Sequence, residues 1–146
     1  METVVVAIDG TEEAFVSLNC ALKEAVLRQA CLRLVAAWEV SSFILTSGVV
    51  DQEMYDDYRK DAENFIAEAV ARVKELEPSI KLETQVVRGQ LGNVVLEQSA
   101  DASLVVVARR IRSRLWELVL GSLAQQVLSH AAIPVLVVNV GDEHRG

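Results

Sequence analysis

The sequence predicts an α/β domain built as a doubly wound parallel sheet with helices on both faces. Three observations carry this expectation. Short continuous apolar runs rich in β-branched residues, at Val4–Ile8, Leu32–Val40 and Leu104–Val107, have the character of strands buried on both faces. Stretches with apolar residues at helical spacing separate them. The resulting order is β-α-β-α-β-α-β-α-β, and right-handed crossovers in such an alternation cover both faces of one sheet.

Each element has its own warrant. Val4–Ile8 ends at Asp9-Gly10-Thr11, where Thr11 is the expected N-cap of the first helix. Ala14, Leu18, Ala21, Leu22, Ala25 and Val26 then recur at helical spacing. Leu32–Val40 is the second strand, and Ser41–Val50, which has no clear period, reads as a loop. Met54, Tyr58, Phe65, Ala69, Val73 and Leu76 draw the apolar stripe of a long second helix, closed by Pro78. Lys81–Val87 alternates polar and apolar residues, as a strand with one better-covered face does. Gly89 and Gly92 mark the turn into a third helix that points Leu91, Val94 and Val95 at the core. Leu104–Val107 is the fourth strand. Gly121-Ser122 opens the last helix, and Pro134 introduces the apolar fifth strand Val135–Val138.

Composition narrows the function. At 146 residues, 51% of them apolar, residues 1–146 make one domain able to bury a full core without staples. No apolar run reaches the length of a membrane span, and residues 1–20 lack the basic and apolar segments of a secretory signal, so a cytoplasmic location is expected. The net charge of −7 opposes general binding to nucleic acid or to an anionic membrane. Cys20 and Cys31 form no CxxC and have no nearby histidine, so buried free thiols are expected and no metal site. Against this acidic background Arg109, Arg110, Arg112 and Arg114 cluster within six residues.

The motifs of catalysis are missing. There is no GxxxxGK[ST] loop, GxGxxG or HExxH, and GQLG at Gly89–Gly92 has the spacing of a turn. His130, near the end of the last helix, favours that C-terminus through its partial positive charge and has no sequence reason to meet Ser122 and a carboxylate. No catalytic residue is therefore assigned. What remains is a Gly-Ser at a helix start, which offers free backbone N–H groups and one hydroxyl to a phosphate.

Three segments carry a family resemblance: VVVAIDGTEEA at Val4–Ala14, the turn at Gly89 with the helix after it, and GSLAQQVLSHAAIPVLVV at Gly121–Val138. Together the chain resembles the universal stress protein family over essentially its whole length. The resemblance implies five strands in the order 3-2-1-4-5, with Asp9 and Ala108-Arg109-Arg110 flanking the crevice where the winding reverses. Asp9 matches the residue that contacts the nucleoside in nucleotide-binding members, and Ala37 lies about where the second strand borders the base.

Those members carry G-x2-G-x9-G-[ST] after the fourth strand. Aligned here, the glycines fall on Ala108, Ile111 and Gly121, the last followed by Ser122. Ala108 is a mild change. Ile111 is more serious, because a β-branched residue resists positive φ and fills space a phosphate needs. Ala124 stands where many such relatives have a hydroxyl. Arg109 and Arg110 either offset the lost backbone cradle with charged forks or pair with the protein's own carboxylates.

Two readings result. In the first, the chain is a non-enzymatic, dimeric stress-response protein acting through contacts with an unknown protein partner, with ATP binding weak or lost. In the second, it is a sensor that holds ATP or another adenine nucleotide through Asp9, Gly121, Ser122 and an arginine-modified phosphate loop. In either, Val135, Leu136, Val137, Val138 and Asn139 form an apolar edge strand expected to pair with its mate in a homodimer, as is common in the family.

Overall fold

The computed structural model describes residues 1–40, 42–48, 51–110 and 121–141. Five parallel strands form one sheet in the order β3-β2-β1-β4-β5. They are β1 (Thr3–Ala7), β2 (Cys31–Trp38), β3 (Leu82–Arg88), β4 (Leu104–Arg110) and β5 (Val135–Val140). The helices are α1 (Glu12–Arg28), α2 (Ser42–Ser47), α3 (Gln52–Leu76), α4 (Leu91–Gln98) and α5 (Ser122–His130).

The alternation of strand side chains divides the core in two. Val4, Val6 and Ile8 of the first strand and its extension join Leu32, Leu34 and Val106 under Leu18 and Ala21 of α1 and Ile66, Ala69 and Val73 of α3. On the other face, Val5, Ala7, Val35, Val105 and Val107 pack with Val94 and Val95 of α4 and Ala124 and Val127 of α5. β1 and β4 are buried on both faces, which is why their sequences are unbroken apolar runs. Burying each such valine or leucine contributes about 1.5–3 kcal/mol, so these strands fix the register of the sheet.

Helix ends follow their sequence signals. Thr11 Oγ1 accepts the Ala14 amide at 3.2 Å, and Glu12 and Glu13 lie in the first turn, where the helix dipole favours anions. Asp51 caps α3 in the same way at 3.0 Å, and α3 stops two residues short of Pro78.

The structure corrects three local expectations. A short helix, α2, lies where a loop was expected; at six residues it is too short to show a period. The buried stripe of α3 is Ala62, Ile66, Ala69 and Val73, while Leu76 is exposed. Cys31 is buried, but Cys20 is only partly so, and both thiols are free. Among the described residues no helix is long and apolar enough to cross a membrane.

Candidate functional site

β1 delivers the first wall of the crevice. The strand ends at Ala7, and Asp9-Gly10-Thr11 turns the chain into α1. Asp9 Oδ1 accepts from the Thr11 amide at 3.1 Å and from Thr11 Oγ1 at 2.6 Å, which locks the turn. Gly10 sits at φ +81°, and a Cβ added there would lie 2.6 Å from Phe65 Cε1. Glycine is thus required both by the left-handed backbone and by the phenyl ring of α3 beneath it.

β4 delivers the second wall, and it is longer than its apolar run. Arg109 and Arg110 are the last two residues of the strand rather than part of a loop. Being on a strand fixes where they reach. Arg109 pairs in register with Asn139 of β5 and donates its Nε–H to Asn139 Oδ1 at 2.5 Å. Arg110 donates Nε–H to Glu13 Oε1 of α1 at 2.5 Å, and its Nη2 approaches the same oxygen. The Arg110 guanidinium holds the Glu13 carboxyl below its ordinary value.

The third wall is the start of α5. Gly121 is the N-cap at φ +61°, and no side chain caps the helix. Among the described residues no atom lies within 4 Å of where a Cβ at Gly121 would stand. Nor does a side chain among them cap the first turn of α5, which presents backbone N–H groups next to the Ser122 hydroxyl.

These walls enclose a cavity of about 310 Å³. Of the residues picked from sequence, Asp9, Ala108, Arg109, Arg110, Gly121 and Ser122 line it, and Ala37 does not. Ala37 lies on β2 in register with Val87 and packs toward the face covered by α4 and α5. Thr11, Glu13 and Ser17 line the cavity as well. Thr11 carries only the signal of a cap in the sequence, and nothing local to Glu13 marks its meeting with a residue 97 positions away. Ser17 Oγ is buried and has no hydrogen-bond partner among the described residues. Ile111, Arg112 and Arg114 lie outside the described residues. No group of three His, Cys, Asp or Glu able to hold a metal occurs among the described residues.

A family model described as the universal stress protein family matches residues 1–139. The chain belongs to the universal stress protein family. It is 31% identical over 141 residues to the universal stress protein Rv2624c of Mycobacterium tuberculosis, covering 94% of this chain and 48% of that protein. The chain thus spans about half the length of the curated relatives it matches. Among solved structures, the universal stress protein UspA from Lactobacillus plantarum superposes with a TM-score of 0.73 at 17% identity, covering 94% of this chain and 97% of that one. The universal stress protein from Archaeoglobus fulgidus in complex with dAMP gives 0.68 at 20% identity, over 94% and 98%. At these identities the structural likeness speaks for the fold, the five-stranded order expected of the family.

Among the described residues the last strand lies at the sheet edge, bonded to β4 alone. Val135, Leu136, Val137 and Val138 are half-buried there, and Asn139 is exposed. Because Pro134 O accepts from the Val105 amide, strand alternation directs the backbone of Val135, Val137 and Asn139 toward the free edge.

Proposed function

We propose that this universal stress protein is a non-enzymatic regulatory protein, one domain over residues 1–146, that acts as a homodimer through protein contacts and holds an adenine nucleotide weakly. The observation that carries the reading is the state of the crevice arginines. Both point at protein partners, Arg109 at Asn139 and Arg110 at Glu13, so neither fork is preset for a phosphate. Ala108 replaces a motif glycine beside them. The open α5 N-terminus and the cavity volume support retention of some affinity.

A non-enzymatic role is supported by the same lining. Asp9 is engaged by Thr11 and Glu13 by Arg110, and no histidine, cysteine or lysine is among the described lining residues. The dimer is supported by the free edge of β5. The sensor reading draws on the Archaeoglobus fulgidus neighbour, which holds dAMP.

Calorimetry with ATP tests the proposal. The expected dissociation constant is tens of micromolar or weaker, on the order of −6 kcal/mol. A submicromolar value overturns weak binding in favour of a dedicated sensor. Restoring both motif glycines, with Ala108→Gly and Ile111→Gly, is expected to tighten binding; unchanged affinity means the loop is not the limiting defect.

A further inference from the structure

Val26, Leu27 and Leu76 are 43%, 79% and 55% exposed, and all three line one groove of about 620 Å³ between α1 and α3. Singly exposed aliphatic side chains are ordinary. Three that converge on a concave surface of ligand-site size mark a place where something apolar leaves water. Both helices cross over between parallel strands on one face of the sheet, so they run side by side in the same direction. Arg72 Nε donates to Asn19 Oδ1 at 3.2 Å, and the guanidinium lies 5.5 Å from the Phe15 ring, which sets Arg72 beside the middle of α1. Leu76 follows Arg72 one turn on along α3, as Leu27 follows Lys23 along α1.

The groove is thus polar at one end and aliphatic at the other. Lys23 and Arg72 line the polar end, and neither pairs with a carboxylate among the described residues. In a chain with 21 acidic and 14 basic residues, two cations without an acid beside an aliphatic trough complement a small anionic amphiphile. Glu77 and the carbonyl ends of both helices stand at the other end, where their negative charge turns an anionic head away. We propose that this groove binds a free medium-chain fatty acid, its carboxylate at Lys23 and Arg72 and its chain along Val26, Leu27 and Leu76. From Asn19 to Leu27 the α1 wall rises roughly 12 Å, which suits a chain of medium length. The net charge of −7 opposes an anionic bilayer as the source of the acyl chain. The groove shares no lining residue with the crevice, which lies at the first turn of α1.

The test is calorimetry with octanoate and decanoate below their micelle concentrations, and with decanol as the uncharged probe. Saturable binding of one ligand per chain is expected, with decanoate roughly tenfold tighter than octanoate for its two further methylenes. Decanoate should also bind more tightly than decanol. Lys23→Gln should lower that preference roughly threefold, and Lys23→Arg should keep it. Leu27→Glu, at a position exposed to water, should weaken every probe roughly tenfold. Leu76→Ser serves as a second variant, with the folding of each checked by circular dichroism. Amide NMR shifts with decanoate should centre on Lys23, Val26, Leu27 and Leu76. Vesicles of phosphatidylcholine and phosphatidylglycerol, free of fatty acid, should not sediment the protein. Absence of saturable binding, equal affinity for decanoate and decanol, or shifts centred elsewhere overturns the site. So does unchanged affinity in both folded Leu27→Glu and Leu76→Ser, or association with micelles or vesicles alone, which would make the groove a membrane contact.

Discussion

Arg109 of β4 and Asn139 of β5 stand opposite each other in the parallel register, joined by a 2.5 Å hydrogen bond from Nε to Oδ1. Arg109 lines the crevice and Asn139 lies on the edge strand, so one bond links the candidate ligand site to the candidate dimer surface. The bond is exposed and neutral on the Asn139 side, so a phosphate can compete for this arginine.

Binding of phosphate-bearing ligands is therefore expected to weaken as salt rises, since exposed charges are screened. The double change Arg109→Ala with Arg110→Ala should abolish it. Calorimetry at low and high salt measures this; binding by the double variant that matches the wild type would mean that the arginines are surface only.

Gly10 makes a second prediction, about stability. Gly10→Ala forces a methyl-bearing residue into positive φ and against the Phe65 ring. The expected loss is about 2 kcal/mol, from backbone strain and overpacking together. Urea unfolding measures it, and Phe65→Leu should recover part of the loss. No measurable loss would show that the turn relaxes freely off α3.

Arg33 makes a third, about pH. Its Nε donates to Glu83 at 2.8 Å, and its Nη1 donates to Asp101 at 2.8 Å and to the Gln98 carbonyl at 2.7 Å. Hydrogen bonds from Arg33 hold both carboxyls below their ordinary values. A carboxyl depressed in the folded state adds stability above its unfolded pKa, and that stability is lost as pH falls through the folded value. The thermal midpoint should thus drop on acidification below the ordinary carboxylate range. Arg33→Met should lower the midpoint at neutral pH and flatten the acid limb. An acid limb equally steep in Arg33→Met would show that other groups govern it.

Assembly makes a fourth. Pairing of β5 with its symmetry mate would satisfy the free backbone edge and cover the half-exposed valines, an isologous contact that closes at two subunits. Val137→Lys would disturb the core as well as the edge, because Val137 packs on the face shared with α4 and α5. Asn139→Pro is cleaner, since it removes an edge N–H at an exposed position. Light scattering should report a dimer for the wild type and a monomer for Asn139→Pro. A wild-type monomer at micromolar concentration, or a dimer untouched by the substitution, would count against this surface.

The sheet was legible because its strands are buried: Val4–Ile8 and Leu104–Val107 advertise themselves as continuous apolar runs, and Thr11 and Pro78 punctuate the helices. The ends of the strands were less so. Arg109 and Arg110 continue β4 beyond the core, where hydrophobicity no longer marks a strand, and the sequence read them as loop. The floor of the site was hidden for another reason. Glu13 looks like an ordinary first-turn acid, and only the crossover that brings α1 beside β4 reveals its partner. Ala37 was picked by analogy of position, and no local physical signal tied it to the cavity.

The central claim is that the crevice between β1 and β4 receives an adenine nucleotide weakly. A titration of the isotope-labelled chain with ATP, followed by amide NMR, tests it directly. Shifts are expected to concentrate at Asp9, Ala108, Gly121 and Ser122, saturating with a dissociation constant of tens of micromolar or weaker, at the affinity level of about −6 kcal/mol. Shifts centred elsewhere, no shifts at all, or saturation at submicromolar ATP would contradict it.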